Sequence, residues 1–352
     1  MGMQEAETTL ENEVRRLYKV PEGTAVEELT EPKRTYVNYA LQTVLRGRLA
    51  MEEIRPYRAI EGIRFLDAGC AYGGFLAAAA EAGAKEVVGI DVDDRFLDIA
   101  RPFLSAYGIP HQVAKGDASD PAFMKPLGGF DLITCNDVIE HVDSIPRLVE
   151  SLAGAVNEGG CVYIAAPNRM CPEFIRKDPH FQYFGIVLLP RDSAREYYFS
   201  TTAWREYDVG DYLELEDHRA LIESHGLELD VINVPEGSPR QRVQDLEAQF
   251  REIEESGASF NDSRLTEDKN REVRDAVAAA VAGFRKRVAR LRELEAAGDE
   301  AAAEREATAI VRDHAVAVWH LVARRPSKEG YRTEQPSLAK KLRGAVGRFL
   351  RG

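Results

Sequence analysis

From residue 61 the chain alternates short apolar runs with stretches of helical spacing. The runs are "IRFLDAG" (63–69), "EVVGIDV" (86–92), "HQVAKGD" (111–117), "FDLITCND" (130–137) and "CVYIAAPN" (161–168). None alternates strictly between apolar and polar positions, as expected for strands covered on both faces. Between them, "GFLAAAAEAGA", "DRFLDIARPFLSAYG" and "IPRLVESLAGAVNEGG" repeat their apolar residues at helical intervals. Repeated strand–helix–strand units predict an α/β, doubly wound parallel sheet.

The flanking segments follow other rules. Residues 1–60 read as helices, with Pro32 near one helix start and Val37, Ala40, Leu41, Val44 and Leu49 on an apolar stripe. Residues 169–210 are aromatic-rich and irregular. A helix is predicted from Tyr212 to His225, stopped by Gly226, followed by a sixth strand, "LELDVINV" (227–234). The seventh strand, "AVAVWHLVA", comes only at 315–323. In the interval, Val273, Val277, Val281, Phe284, Val288, Leu291 and Leu294 form one stripe on a long helix, and Gly298-Asp299 breaks it before a second helix. This predicts a helical hairpin packed on its own chain; a dimerisation arm or a lid is the sharper alternative. The expected organisation is an N-terminal helical cap (1–60), an α/β core (61–168), a substrate-side insertion (169–210), core completion (211–234 and 315–325), the hairpin (235–314) and a basic tail (326–352).

Composition narrows the function. The 352 residues carry a formal charge of −13, which disfavours a nucleic-acid backbone as the main partner. Residues 324–352 reverse that sign, with nine Lys/Arg against two Glu. Within them "SLAKKLRGAVGRFLRG" (337–352) reads as a short basic amphipathic helix, hence weak membrane-surface contact through the tail as one expectation and a solvated tail as the other. The polar, acidic start shows no secretory signal, and no apolar stretch is long enough for a membrane span. The four cysteines (Cys70, Cys135, Cys161, Cys171) lack close metal-ligand spacing and read as buried, reduced thiols of a cytoplasmic protein. No metal is expected.

The stretch "FLDAGCAYGGFLAAAAEAGAKEVVGIDVD" (65–93) holds the chemistry. A dinucleotide fingerprint would put its second glycine at Ala71, and a phosphate loop would need Gly-Lys-Ser/Thr, which is absent. Asp67 at the strand tip would repel a pyrophosphate but suits a cationic ligand. The segment D-x-G-C-x-x-G closely resembles the first motif of class I S-adenosylmethionine-dependent methyltransferases. That resemblance implies S-adenosyl-L-methionine as cofactor. It places Asp67 at the aminoacyl end and has Gly69, Cys70, Ala71 and Gly73 pass the backbone close to the ligand. Asp91, 22 residues after Gly69, would take the ribose hydroxyls with Val92 beside it, and Asp117 and Ala118 would meet the adenine. For each acid the plain alternative is a helix cap.

The fourth strand ends in "CNDVIEHV" (135–142), which resembles a segment of ubiquinone-type O-methyltransferases. The resemblance covers roughly 60–234 and 315–323. It implies that the Asn136–Val138 backbone lines the methionine arm, that Glu140-His141 opens the next helix, and that the sheet is Rossmann-like and seven-stranded, with helices on both faces and strand 7 antiparallel between 5 and 6. Both insertions then leave the sheet at its ligand-binding edge. Methyl transfer to a hydroxyl needs a base, and histidine suits neutral pH. His141 and His180 are the catalytic candidates. "DPHF…LPR" weakly resembles a segment of bacterial glycan- and sugar-modifying methyltransferases, which makes Asp178 and Arg191 candidate acceptor ligands. Arg34 and Tyr36 are candidates to cover the cofactor carboxylate. The expected function is O-methylation of a polar small molecule, sugar or glycan. The alternatives are N- or C-methylation, or a non-catalytic assembly module; a homodimer is a further expectation.

Overall fold

The computed structural model describes residues 2–30, 33–202 and 207–327. Seven strands form one sheet: β1 (Arg64–Ala68), β2 (Glu86–Asp91), β3 (His111–Lys115), β4 (Phe130–Asn136), β5 (Val156–Pro167), β6 (Glu228–Val231) and β7 (Val318–Arg324). Their spatial order is β3-β2-β1-β4-β5-β7-β6. The first five strands pair in parallel, and β7 runs antiparallel to both β5 and β6, as expected. Asp67, near the tip of β1, lies between Gly89 of β2 and Thr134 of β4, so it sits at the centre of the ligand-binding edge.

One face of the sheet carries α1 (Gly2–Leu17), α2 (Lys33–Leu41), α3 (Thr43–Ile54), α4 (Gly74–Glu81) and α5 (Asp94–Tyr107). The N-terminal helices share one apolar core with α4 and α5 rather than forming a detached cap. Helices α3 and α4 approach closely. A Cβ on Gly74 would lie 2.3 Å from Thr43 Oγ1, and one on Gly47 would lie 2.9 Å from Ala78 Cβ. Asp93 caps α5 by accepting from Arg95 N–H at 2.8 Å.

The other face carries α6 (Pro121–Met124) and α7 (Ile145–Ala155). Beyond β5 the chain forms α8 (Pro172–Arg176) and α9 (Arg191–Thr201), so the segment expected to be irregular is partly helical. Helix α10 (Leu215–Ser224) packs on the same face as α7. Between β6 and β7 lie three helices rather than a hairpin of two: α11 (Pro239–Ala258), α12 (Glu267–Ala296) and α13 (Glu300–His314). The predicted break is as read: Gly298 has φ +71°, and Asp299 caps α13 through Ala302 N–H.

These three helices and the 169–202 segment form one hydrophobic core. Phe174, Ile175, Leu188 and Tyr197 pack with Phe250, Phe284 and Ile310. At its centre Phe250 and Phe284 stack at 4.1 Å, with the His314 ring edge-on to both. The apolar stripe of α12 is consumed there. Among the described residues the large hydrophobics left exposed are Tyr36, Tyr39, Leu45, Leu49 and Val92, none of them in α11–α13. No described helix is long and apolar enough to cross a membrane, and all four cysteines are free and buried. The basic segment 337–352 lies outside the described residues.

Candidate active site

The loop after β1 is a chain of left-handed residues: Gly69 at φ +85°, Ala71 at +41° and Gly73 at +82°. Gly69 and Cys70 both donate N–H to Ile90 O, which ties the loop to the tip of β2. A Cβ on Gly69 would lie 2.3 Å from Val138 Cγ2, so only glycine fits beneath the β4 tip. Ala71 holds its left-handed conformation by donating N–H to Asp91 Oδ2 at 2.9 Å. The other Asp91 oxygen accepts from Asp93 N–H at 2.9 Å. A carboxylate offers about four lone-pair positions, so Asp91 braces the loop and still has capacity for hydroxyl donors.

Asp67 is 3% exposed and accepts from Thr134 Oγ1 at 2.7 Å. Burial raises its pKa to about 7; nearby Asp91 adds to the rise, while the Thr134 hydrogen bond and Arg46 oppose it. Val92 is 64% exposed beside Asp91, an unusual exposure for a valine and one that leaves an apolar surface at the cleft. Asp117 is exposed and does not cap a helix. One of its oxygens accepts from Ser119 N–H and Oγ–H, Asp120 caps α6 instead, and neighbouring Ala118 is buried.

At the β4 tip, Asn136 donates to Asp137, whose backbone is left-handed at φ +54°. Asp137 also accepts from the Tyr39 hydroxyl and from Arg46 Nη1, and the Arg46 guanidinium lies 3.5 Å from the Tyr39 ring centroid. Tyr39 and Arg46 thus reach the site from α2 and α3. Tyr36 instead stacks on Tyr18 at 6.1 Å. Sequence reasoning missed this latch. No short window announced it, because Tyr39 and Arg46 lie 98 and 91 residues from Asp137 along the chain.

Beyond Val138 the chain forms no immediate helix; α7 starts at Ile145, capped by Ser144. The loop between them presents Glu140 and His141. His180, from the segment after α8, meets them there. His141 Nε2 and His180 Nε2 lie 4.0 and 3.9 Å from Glu140 Oε1, and the two imidazoles meet edge-on with centroids 5.0 Å apart. Glu140 is 3% exposed, and its Oε2 has no hydrogen-bond partner. Burial raises its pKa. Burial, reinforced by His141, lowers the His180 pKa to about 3, so this imidazole is neutral at physiological pH.

Outer contacts fix both rings. His141 Nδ1 lies 2.8 Å from Asp208 O, and His180 Nδ1 lies 2.9 Å from the Tyr212 hydroxyl. Gly210 donates N–H to Glu140 O, and a Cβ on Gly210 would lie 2.9 Å from Val142 O, so the 207–212 strand of chain can lie flat against the His141 loop. The two histidine candidates are brought together; Asp178 adjoins His180 but spends its carboxylate on backbone N–H groups, and Arg191 pairs elsewhere. The Asp178 carboxylate accepts N–H bonds from His180, Phe181 and Tyr183 at 2.9, 2.8 and 2.6 Å and shapes its own loop. Arg191 pairs with the exposed Asp143. A further finding concerns metal. Glu140, His141 and His180 each offer one ligand atom within 4.8 Å of the others, an arrangement that can hold a cation and that no close sequence spacing announced.

Comparison with known proteins gives the family. A family model described as a methyltransferase domain matches residues 39–231, ending before α11. The ubiquinone biosynthesis O-methyltransferase of Thiobacillus denitrificans is 28% identical over 206 residues, covering 56% of this chain and 82% of that protein. The protein of the same name from Aromatoleum aromaticum is 32% identical over 150 residues, covering 40% of this chain and 62% of that protein. Among solved structures, magnesium protoporphyrin IX methyltransferase from Synechocystis, with bound SAH, has a TM-score of 0.42 at 16% identity and covers 62% of this chain and 84% of its own.

Proposed function

We propose that this chain, which belongs to the methyltransferase-domain family and is a class I S-adenosylmethionine-dependent methyltransferase, methylates a hydroxyl of a polar small molecule, sugar or glycan, lipid-linked acceptors included. The residues present fit the cofactor. Gly69 lets the loop pass tightly beneath Val138 at the β4 tip, so its backbone can border a ligand there. Asp67 offers a buried carboxylate suited to an ammonium, Asp91 has free acceptor capacity for a ribose, and exposed Val92 offers an apolar surface for a base. Gly69, Cys70, Ala71, Gly73, Asn136 and Val138 would border the cofactor, with Asp117 and Ala118 toward the adenine.

When bound, S-adenosylmethionine supplies a methyl group activated by its sulfonium. The protein's part is to align the acceptor, remove its proton and exclude water. The observation that carries the hydroxyl reading is the convergence of Glu140, His141 and His180 beyond the β4 tip. It supports the reading because it would give an acceptor proton a base and a buried carboxylate as its destination. The names of the curated relatives, O-methyltransferases, support the same choice. A second reading, a cation held by the three side chains that orients the acceptor, draws on the same geometry. Cytoplasmic residence, a homodimer and tail contact with membranes are further parts of the proposal.

The test pairs binding with transfer. Asp91→Ala should weaken S-adenosylmethionine at least about tenfold by calorimetry, since each lost charge-assisted bond is worth about 1.5–3 kcal/mol. A panel of hydroxylated, amino and carbon-acid acceptors with methyl-labelled cofactor then identifies the atom that receives the label. Label on nitrogen or carbon alone would refute the hydroxyl reading.

A further inference from the structure

The neighbouring strands β1 and β4 send their following helices to opposite faces, α4 to one and α7 to the other. In a doubly wound sheet the crevice outside two such strand tips is where a ligand lies. Helix α2 crosses that crevice. On the β1 side its Tyr36 stacks on Tyr18, whose hydroxyl lies 2.6 Å from that of Tyr72 in the glycine loop. On the β4 side its Tyr39 hydroxyl donates to Asp137. The crossing is lightly packed. Of the nine residues of α2 only Val37 and Ala40 are buried, against six of the twelve in α3. The two helices part at Gln42, whose φ of −87° and ψ of 5° interrupt the run.

The receiving end of the latch stays set without α2. Asn136 Nδ2 at 2.8 Å and Arg46 Nη1 at 3.3 Å donate to the same Asp137 oxygen that Tyr39 uses, and both belong to other elements. The carboxylate therefore keeps its aim when Tyr39 leaves. We propose that α2 is a strap over the cofactor, bolted by Tyr39 on Asp137, and that S-adenosylmethionine enters and S-adenosylhomocysteine leaves only when α2 lifts about Gln42. The inference rests on the cofactor reading above, which puts the methionine end between Gly69 and the β4 tip. A strap has a kinetic signature that a direct contact lacks. Weakening a direct contact raises the dissociation rate alone. Weakening a bolt that holds in both the empty and the loaded protein raises entry and exit by one factor, so their ratio, Kd, stays put. Tyr39 is a gating residue in this scheme, and it sets how fast product clears the site.

Surface plasmon resonance of S-adenosylhomocysteine over immobilised full-length protein reads both rates. That ligand lacks the sulfonium, so a change at Asp137 does not act on it through that charge. Tyr39→Phe should raise both rates about tenfold, the effect of one charge-assisted hydrogen bond, with Kd within about threefold. Asp137→Asn, which a left-handed position tolerates, should give a smaller rise shared by both rates, and it decides the matter if Tyr39→Phe does not fold. A rise in the dissociation rate alone, or rates left unchanged, overturns the proposal. Hydrogen exchange adds an arm that needs no ligand. The amides of α2 should exchange about tenfold faster in Tyr39→Phe while those of α3 keep their rates. Acceleration shared by both helices, or missing from α2, overturns the hinge. Wild-type affinity in Asp91→Ala would instead sink the cofactor placement; lost affinity there with unmoved rates in Tyr39→Phe would sink the strap alone.

Discussion

Replacing Asp67 by Asn isolates the charge that the cleft offers a cationic ligand. The carboxylate is 3% exposed, and Thr134 Oγ1 donates to it at 2.7 Å, a bond an amide oxygen can keep. Burial holds its pKa at about 7, so the free protein carries this group half protonated near neutral pH. A ligand ammonium favours the ionised form. Binding is therefore strongest above pH 7 and weakens as the pH falls, because the proton must leave before the ammonium can pair. Each pH step well below about 7 costs about 1.4 kcal/mol, a factor of ten in Kd, and the step from pH 7 to 6 about fivefold. From pH 7 to pH 5 the expected loss of affinity is roughly 50-fold. Asp67→Asn should abolish that slope. It should also weaken binding roughly 10- to 150-fold at pH 7.5, the worth of one charge-assisted hydrogen bond at about 1.5–3 kcal/mol. Calorimetric titration of S-adenosylmethionine between pH 5 and 7.5 on both proteins is the assay. A wild-type Kd that is flat with pH, or a variant that keeps the wild-type slope, would refute the reasoning.

Three further changes test other parts of the structure. Gly69→Ala forces a Cβ into Val138 at φ +85° and should cost roughly 2–5 kcal/mol in denaturant unfolding; adding Val138→Ala should return part of it, and strict additivity would refute the contact. His141→Ala should lower kcat by about 10²–10⁴-fold while calorimetry shows cofactor affinity within about threefold; a near-normal rate would remove His141 as the base. Phe284→Ala empties the centre of the third core and should cost about 3–5 kcal/mol in chemical unfolding; a loss below about 1 kcal/mol would show that α11–α13 are not cooperatively packed there.

What could be read from the chain was local or periodic. The five parallel strands, the glycine loop and the acid ending β2 all lie within short windows whose spacing carries their meaning. The stripe from Val273 to Leu291 was visible for the same reason, and each of its residues is buried. Helices α9 and α11 were harder. Their mean composition is polar, and their apolar positions acquire partners only on other helices, as Phe250 does on Phe284. Asp178 looked like a pocket residue because a buried acid amid aromatics resembles one, yet three backbone N–H groups use it. The site itself depends on contacts no window spans: Glu140 with His180, His141 with Asp208, Tyr39 with Asp137.

The third core also bears on how this protein came to be. One of its halves is spliced in after β5 and the other after β6, at separate points in the chain; α11–α13 cover one another, whereas the apolar side chains of the 169–202 segment find their cover on those helices. An ancestor that gained only the segment after β5 would have carried an uncovered hydrophobic surface beside its catalytic edge. Either the helices came before it or with it, or it arrived with a different cover, such as a neighbouring chain, that they later displaced. The same dependence limits grafting. A chimera that moves the His180 segment onto another sheet of this topology has to move α11–α13 with it, and a shuffled library with a crossover between them should yield soluble members only where both come from one parent.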